Sequence, residues 1–335
     1  MSSWKLQLSM IGTLAAIFGL STLVFTIVLT LMDIGLNLTT IAVFVVIFSF
    51  AQWLLSPYLV GAVYKIKEIG PNDNPEIYHM VEQLSFKSKI SPPKLMLAQI
   101  SMPNAFAYGS PLTGNRVAIT QGLLNTLDKG EIEAVIGHEL GHLKHRDVQV
   151  MMTVSFLPTL FYFVGYSLML SGMFGGRNRN SGSGGNNALI GIAFMAFSWI
   201  LSIFTLYLSR LREYYADRHS VSIVENGAEK LSTGLITIVS ENKNQNRYRR
   251  NNSREKQKDN NSTFKALFIS DPDKADEDAK KVYTDNNSNT SSVANKQELL
   301  KEALSKKVTG AERFAELFAT HPNIIKRLKA IQTQA

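Results

Sequence analysis

The chain has 335 residues, no cysteine and a formal net charge of +8, a length that allows one large or two ordinary domains. Without thiols there is no disulfide framework and no thiolate metal site, so any metal must rest on His, Asp or Glu. The positive charge forms no basic stripe with interleaved aromatics, which argues against a nucleic-acid partner.

Four windows, at 11–32, 36–60, 148–174 and 188–208, carry no Lys, Arg, Asp or Glu. Each has at least the ~20 residues that a helix needs to cross a bilayer. Buried helices of a soluble core rarely stay apolar on every face for so long. A cleaved signal peptide is an alternative for the first window, with Lys5 as its basic end, but no small-x-small site follows and a second window comes almost at once. The expectation is four transmembrane helices in two hairpins. Lys5, Lys65, Lys67, Lys144, His145, Arg146, Arg210 and Arg212 flank the windows on one side, and Asp33 lies in the first hairpin turn. The positive-inside rule makes that side, with the N-terminus, cytoplasmic. Arg177 and Arg179 run against it, in a loop rich in Gly, Ser and Asn.

Between the hairpins, residues 61–147 are polar. PEIYHMVEQLSFKSKI has helical spacing, and KLMLAQI and NRVAIT read as strands, joined by NAFAYGSPLTG with its turn residues. A small antiparallel sheet is expected. LDKGEIEAVIGHELGHLKH follows. Asp128 with Glu131 three residues on is a helix-start signature, and Ile132, Val135, Ile136, Leu140 and Leu143 mark one apolar face. Gly137 and Gly141 each cost this helix about 1 kcal/mol against alanine, which suggests that something packs very close.

That helix carries His138-Glu139-Leu140-Gly141-His142, an H-E-x-x-H pattern. Histidines at i and i+4 share one face and can reach a single zinc ion. Glu139, rotated by about 100°, cannot easily be a ligand but can reach a water on the metal. A catalytic zinc site needs a third protein ligand. No third His follows at metzincin spacing, and Asp147 is too near and faces elsewhere. The second hairpin supplies Glu213: His142 lies roughly 9 Å before its start and Glu213 roughly 7 Å beyond its end, on the same side of the bilayer. The competing reading of Glu213 is an interfacial acid paired to Arg210 or Arg212. Asp217, at i+4 from Glu213, could accept the second N–H of a ligating imidazole. His145 reads as part of the basic rim, and His79 and His219 as solvated. His321, before a proline, could be a cap or a core residue.

Beyond the last window, LREYYADRHSVSIVENGAEKLSTGLITIV is helical in spacing. Residues 241–263 are Asn- and charge-rich with almost nothing to bury, and are expected to form a disordered or mobile insert. Helical spacing returns in QELLKEALSKK and AERFAELFATHPNIIKRLKAI. The organisation is therefore a transmembrane hairpin over 1–60, the first half of a domain at 61–147, a second hairpin at 148–208 and the second half of the domain at 209–335.

HELGHLKHRD, then two spans, then EYYAD, resembles the HtpX heat-shock membrane proteases, relatives of the CAAX prenyl endopeptidases among the gluzincin metallopeptidases. MPNAFAYG, ALFISDP and LFATHPNIIKRLKAI resemble further motifs of that family. The likeness covers most of the chain and, ALFISDP apart, thins between about 241 and 309. It implies a mainly α integral membrane protein with four transmembrane helices and a cytoplasmic α+β, zincin-like metalloprotease domain holding a small β-sheet. It implies one Zn²⁺ per chain on His138, His142 and Glu213, with Glu139 as general base. It also implies that Asn104, Ala105, Phe106 and Ala107 form an edge strand that binds substrate. His321 and Arg327 would lie near the reacting carbonyl and stabilise its oxyanion. The expected activity is endopeptidase cleavage of misfolded or damaged membrane proteins, in a multi-pass protein of the plasma membrane with its active site in the cytoplasm. Two rivals remain open: a processing protease for one peptide or lipidated substrate, and a non-proteolytic, metal-stabilised membrane scaffold.

Overall fold

The computed structural model describes residues 38–174, 183–251, 269, 275–282 and 293–334. The window at 11–32 lies outside these residues, as do Arg177 and Arg179. Among the described residues, α1 (Leu38–Val63) leads into strand β1 (Lys67–Glu68) and helix α2 (Pro75–Ser88). Strands β2 (Lys94–Ala98), β3 (Ala105–Ser110) and β4 (Gly114–Thr120) follow, then helices α3 (Gln121–Thr126) and α4 (Lys129–Lys144). The long helices α5 (Asp147–Phe174) and α6 (Ser183–Ile223) precede α7 (Gly227–Asn251), α8 (Ala275–Val282), α9 (Val293–Ser305), α10 (Gly310–Glu316) and α11 (Ile324–Gln332).

Three of these helices are long and apolar enough to cross a membrane: α1, α5 and α6. The described residues fall into two compact units, one within Met1–Phe50 and Val154–Ser202, the other within Ala51–Thr153 and Ile203–Ala335. In the first, α5 and α6 cross at two glycines. A Cβ on Gly191 would lie 2.5 Å from the Gly165 carbonyl oxygen and 2.4 Å from Met169 N. Such close backbone approach is how helices associate where lipid is as apolar as their side chains. Ser198 Oγ adds a hydrogen bond, 2.7 Å long, to the Pro158 carbonyl.

The second unit is built on a four-stranded sheet in the order β1-β2-β4-β3. The sheet is mixed, which corrects the antiparallel expectation: β2 pairs parallel to β4, and β3 antiparallel to β4. The chain leaves β2, passes the position that β4 will fill, forms β3, and returns through a hairpin. Gly114, at φ 69°, supplies the left-handed residue that closes this three-residue loop. The crossing leaves β3 at the edge. Along β3 the side chains alternate: Ala105 faces the main core, while Phe106 and Tyr108 pack with Val60 and Tyr64 from the end of α1 on the other face.

The main core joins the sheet to α2, α4, α7 and α11. Ile132, Val135, Ile136, Leu140 and Leu143, the face expected of α4, are all buried. The helix starts on a complete capping box between Asp128 and Glu131. The Glu131 carboxylate is itself buried and pairs with Lys296 Nζ of α9 at 2.7 Å. α6 continues unbroken through EYYAD to Ile223, and the chain then turns at Asn226, whose φ is 53°. α7 runs on to Asn251, so the first part of the expected insert is helical. One face of that part is still covered: Asn242 and Lys243 are buried, and Gln245 donates to the Ser101 carbonyl. The rest of the insert, 252–263, lies outside the described residues.

Candidate metal centre

The tight packing foreshadowed by the two glycines of α4 is against α6. A Cβ on Gly137 would meet Ser220 Oγ at 3.1 Å, and one on Gly141 would meet Ala216 Cα at 3.0 Å. Ser220 Oγ also donates to the Ala134 carbonyl at 2.6 Å. With the two backbones this close, the histidines of α4 and Glu213 of α6 face each other across a narrow gap.

His138 Nε2 and His142 Nε2 are 3.2 Å apart. Glu213 Oε2 lies 3.7 Å from the first and Glu213 Oε1 3.6 Å from the second. Atoms bound tetrahedrally to one zinc at 2.0–2.2 Å are separated by roughly 3.3–3.5 Å, so these three edges fit a single small cation. The other ring nitrogens are held by acids. His138 Nδ1 is 2.9 Å from Asp217 Oδ1, and His142 Nδ1 is 2.6 Å from Asp147 Oδ2. A carboxylate on Nδ1 keeps the proton there and leaves the Nε2 lone pair for a metal. With both protons on Nδ1, the two Nε2 lone pairs turn towards each other beside a carboxylate, an arrangement that suits a cation.

Burial lowers the basicity of His142, but the hydrogen bond it donates to Asp147 and the charges of Glu213, Glu139 and Asp147 outweigh it. The balance holds its imidazole above the ordinary histidine value. A cation or a proton is therefore favoured at this spot, and the two compete.

Glu139 is buried one residue beyond His138, and its Oε2 accepts the Ala107 N–H at 2.7 Å. β3 thus runs beside the candidate ligands of α4, with an outward N–H already engaged by the carboxylate. Ala105 and Phe106 turn their side chains into the fold, and Ala107 is half-buried. Asn104 precedes the strand and is fully buried. Its Oδ1 accepts the Ile269 N–H at 2.9 Å and its own N–H goes to Thr120 Oγ1.

Arg327 comes from α11 and is 2 % exposed. It grips Asp217 through Nε and Nη2, both at 2.8 Å, and donates from Nη1 to the Ile269 carbonyl at 3.1 Å. Its Nη2 lies 3.2 Å from His138 Nε2 and its Nη1 3.2 Å from Glu213 Oε2. Most of its donors are thus spent inside the site. A buried relay runs from Asn104 through the Ile269 peptide, Arg327 and Asp217 to His138. His321 Nδ1 is 3.5 Å from Glu213 Oε2, and neither ring nitrogen has a hydrogen-bond partner among the described residues. It stands beside the Glu213 carboxylate with both ring nitrogens unspent.

Sequence reasoning considers Asp147 only as a ligand and misses its place behind His142. Arg146, at φ 53°, reverses the chain just after α4 and brings Asp147 back to the helix end. The partner role of Ile269 is a backbone one and leaves no mark in residue type. His219, expected in solvent, is buried, with its Nε2 2.9 Å from Ser88 Oγ. His79 is exposed beside Glu82.

Comparison with known proteins agrees with this architecture. The model of peptidase family M48 matches residues 71–335. A protease HtpX homologue of Thermoplasma acidophilum is 38 % identical over 310 residues, covering 89 % of this chain and 88 % of its own. Another, of Aeropyrum pernix, is 35 % identical over 285 residues, covering 85 % of this chain and 82 % of its own. The crystal structure of S. mikatae Ste24p superposes with a TM-score of 0.54 at 16 % identity, a likeness of fold. It covers 98 % of this chain, which spans 66 % of that structure's length.

Proposed function

The chain is a membrane-bound metalloprotease of peptidase family M48, and on that premise we propose that His138, His142 and Glu213 hold one zinc ion per chain and that the site cleaves internal peptide bonds of misfolded or damaged membrane proteins. The observation that carries the reading is the triangle of His138 Nε2, His142 Nε2 and Glu213 oxygens, all within 4.8 Å of one another. A zinc ion held there supplies Lewis acidity to the scissile carbonyl and to a water molecule.

The chain's own residues do the rest. Asp217 and Asp147 fix the tautomers of the two histidines. Glu139, with Oε2 tethered to Ala107 N–H, keeps its other oxygen to take a proton from the attacking water and pass it to the leaving amine. An extended substrate adds to the outer edge of β3 through the backbone groups beside Ala107, hydrogen bonds that need little side-chain preference and so suit unfolded chains. His321 is the donor placed to meet the oxyanion of the tetrahedral intermediate. Arg327, already committed to Asp217, positions ligands.

The window at 11–32 would add a fourth span to α1, α5 and α6. The basic residues flanking the spans favour a cytoplasmic site in the plasma membrane. Single cysteines placed at 175–182, in a chain with none of its own, test this: an impermeant thiol reagent should reach them from outside the cell, and reaction only from the cytoplasmic side would reverse the topology.

The deciding assay uses detergent-purified protein kept in chelator and an unfolded substrate, with and without zinc. Cleavage should require zinc and vanish in Glu213→Gln. In Glu139→Ala it should fall by about 10²–10⁴, the range of general-base effects, with zinc still bound. Full activity in the Glu139 variant would remove that residue from the mechanism, and survival of Glu213→Gln would move the third ligand elsewhere.

A further inference from the structure

α10 poses a problem of packing. It is well begun, with a capping box between Thr309 and Glu312, yet none of its residues is buried. Phe314 is 64 % exposed and Leu317, three residues on, 41 %. The Phe318 ring stands edge-on to Phe314 with centroids 5.6 Å apart. Leu317 and Phe318 continue its last turn, with their N–H groups on the Phe314 and Ala315 carbonyls, so the segment offers water Phe314 and Leu317 with the half-buried Phe318 beside them.

Its neighbour is α6, at the point where that helix becomes charged. Arg210 of α6 donates from Nη1 to the Ala319 carbonyl at 2.7 Å and to the Leu317 carbonyl at 3.3 Å, and its guanidinium lies 5.7 Å from the Tyr207 ring. Tyr207 and Phe204, one and two turns earlier, are exposed and apolar, while Arg212, Glu213 and Asp217 follow. Arg210 therefore stands where α6 changes from a lipid-facing to a charged helix. Tyr and Arg are the residues that hold a span at that level. The chain just beyond α10 is tied to Arg210 through the Leu317 and Ala319 carbonyls.

The charges agree. The acids of the segment are engaged: Glu312 closes the exposed cap, and the covered Glu316 accepts the Asn323 N–H and pairs with Lys326. Arg313 and Lys307 are exposed beside the apolar face. Basic groups flanking an apolar helix face suit the boundary between anionic headgroups and acyl chains.

The geometry points to α10 as an interfacial lipid-docking helix, with Phe314 and Leu317 set into the bilayer surface and Arg313 and Lys307 among anionic headgroups. The inference rests on the membrane-bound reading of the chain but not on its catalysis. Because His321 follows α10 by only a few residues, this contact would hold the His321 segment near the membrane surface, where a segment of a membrane protein emerges.

The absence of native cysteine makes the test direct. Full-length Phe314→Cys is labelled with an environment-sensitive fluorophore and placed in vesicles of zwitterionic lipid, with and without anionic lipid. Phe86→Cys is the reference. Phe86 is 85 % exposed, and Lys87 beside it bonds the Ile223 carbonyl, about 20 Å along α6 from Arg210. At 314 the emission should shift to the blue and be lost to a lipid carrying a shallow nitroxide, more so with anionic lipid. At 86 it should do neither. Lack of quenching at 314 would overturn the proposal. So would a blue shift that appears only at high protein-to-lipid ratio, which marks a second copy, or only with unfolded polypeptide, which marks substrate. In a parallel assay, Phe314→Glu/Leu317→Glu should lose cleavage of a bilayer-anchored substrate while keeping cleavage of a soluble one in detergent; equal loss of both would also refute it. The quenching result stands or falls whether or not the protein cleaves anything.

Discussion

Replacing Arg327 by methionine tests the buried relay most severely. Arg327 and Asp217 are 2 % and 1 % exposed and are joined by two hydrogen bonds of 2.8 Å. Methionine fills much of the volume but leaves the Asp217 carboxylate in a dry site with only the His138 N–H. Removing one partner of such a pair costs about 3–5 kcal/mol. At about 2–4 °C per kcal/mol for a domain of 150–250 residues, the metal-free protein should unfold roughly 6–20 °C lower. Lysine restores the charge but not the two-pronged grip, and should recover only part of the loss. The double variant Arg327→Met/Asp217→Leu removes both charges, so its stability should return most of the way. Its zinc affinity should stay about 10–100-fold weaker, because His138 has lost the acid that orients it. Unfolding is followed by intrinsic fluorescence in detergent, and zinc binding by competition with a chromophoric chelator. An Arg327→Met protein that unfolds within about 2 °C of wild type, which is below 1 kcal/mol on that scale, would show that the pair is not sealed from water and would refute the argument. So would a double variant that binds zinc normally.

Two other outcomes follow from the packing and the charges. Gly191→Val must place Cβ where Met169 N and the Gly165 carbonyl already stand, at 2.4 and 2.5 Å, so α5 and α6 should separate and the yield of monodisperse protein in detergent collapse. Gly61→Ala, with nothing within 4 Å, should be tolerated; equal behaviour of the two would disprove the close crossing. For zinc, the raised basicity of His142 sets the sign. A folded-state value above the unfolded one stabilises the apo protein at low pH, and that contribution fades as pH rises through the folded value. A metal needs the neutral ring, so zinc binding should release a proton and weaken as pH falls. Asp147→Asn, which removes the hydrogen-bonded anion behind His142, should shrink that release. Calorimetry in buffers of different ionisation enthalpy measures it, and an unchanged release in Asp147→Asn would exclude Asp147 as the source of the raised basicity.

What could be read in the sequence was chemistry that is local or periodic. H-E-x-x-H is legible because two ligands one helical turn apart need only one helix. Glu213 came within reach of the argument because two successive apolar windows separate it from His142, and the structure packs its helix against α4. The capping box and the buried face of α4 obey the same short-range rules. Elements that depend on long-range order were not legible. The parallel pairing of β2 with β4 is decided by which gap the chain skips. The position of Asp147 depends on one left-handed residue, Arg146. Composition also misjudged residues 241–251, because a helix needs only one covered face and Asn242, Lys243 and Gln245 find it on the neighbouring structure.

The same distinction explains why the motifs of this chain are scattered. A zinc ligand pair can be encoded in five residues, but holding those rings still is a matter of satisfying buried polar groups, and each carboxylate added behind a histidine needs a partner of its own. Asp217 gains Arg327, separated by 110 positions; Arg327 gains the Ile269 carbonyl; and the Ile269 N–H finds Asn104, 165 positions away. Each partner lies on a different segment because a single helix face has no room for them all. Asn104, Ile269 and Arg327 therefore belong to the candidate site by the same physics that places His138 and His142 at its centre, and the edge strand proposed to take the substrate is fastened by Asn104 to the network behind His138.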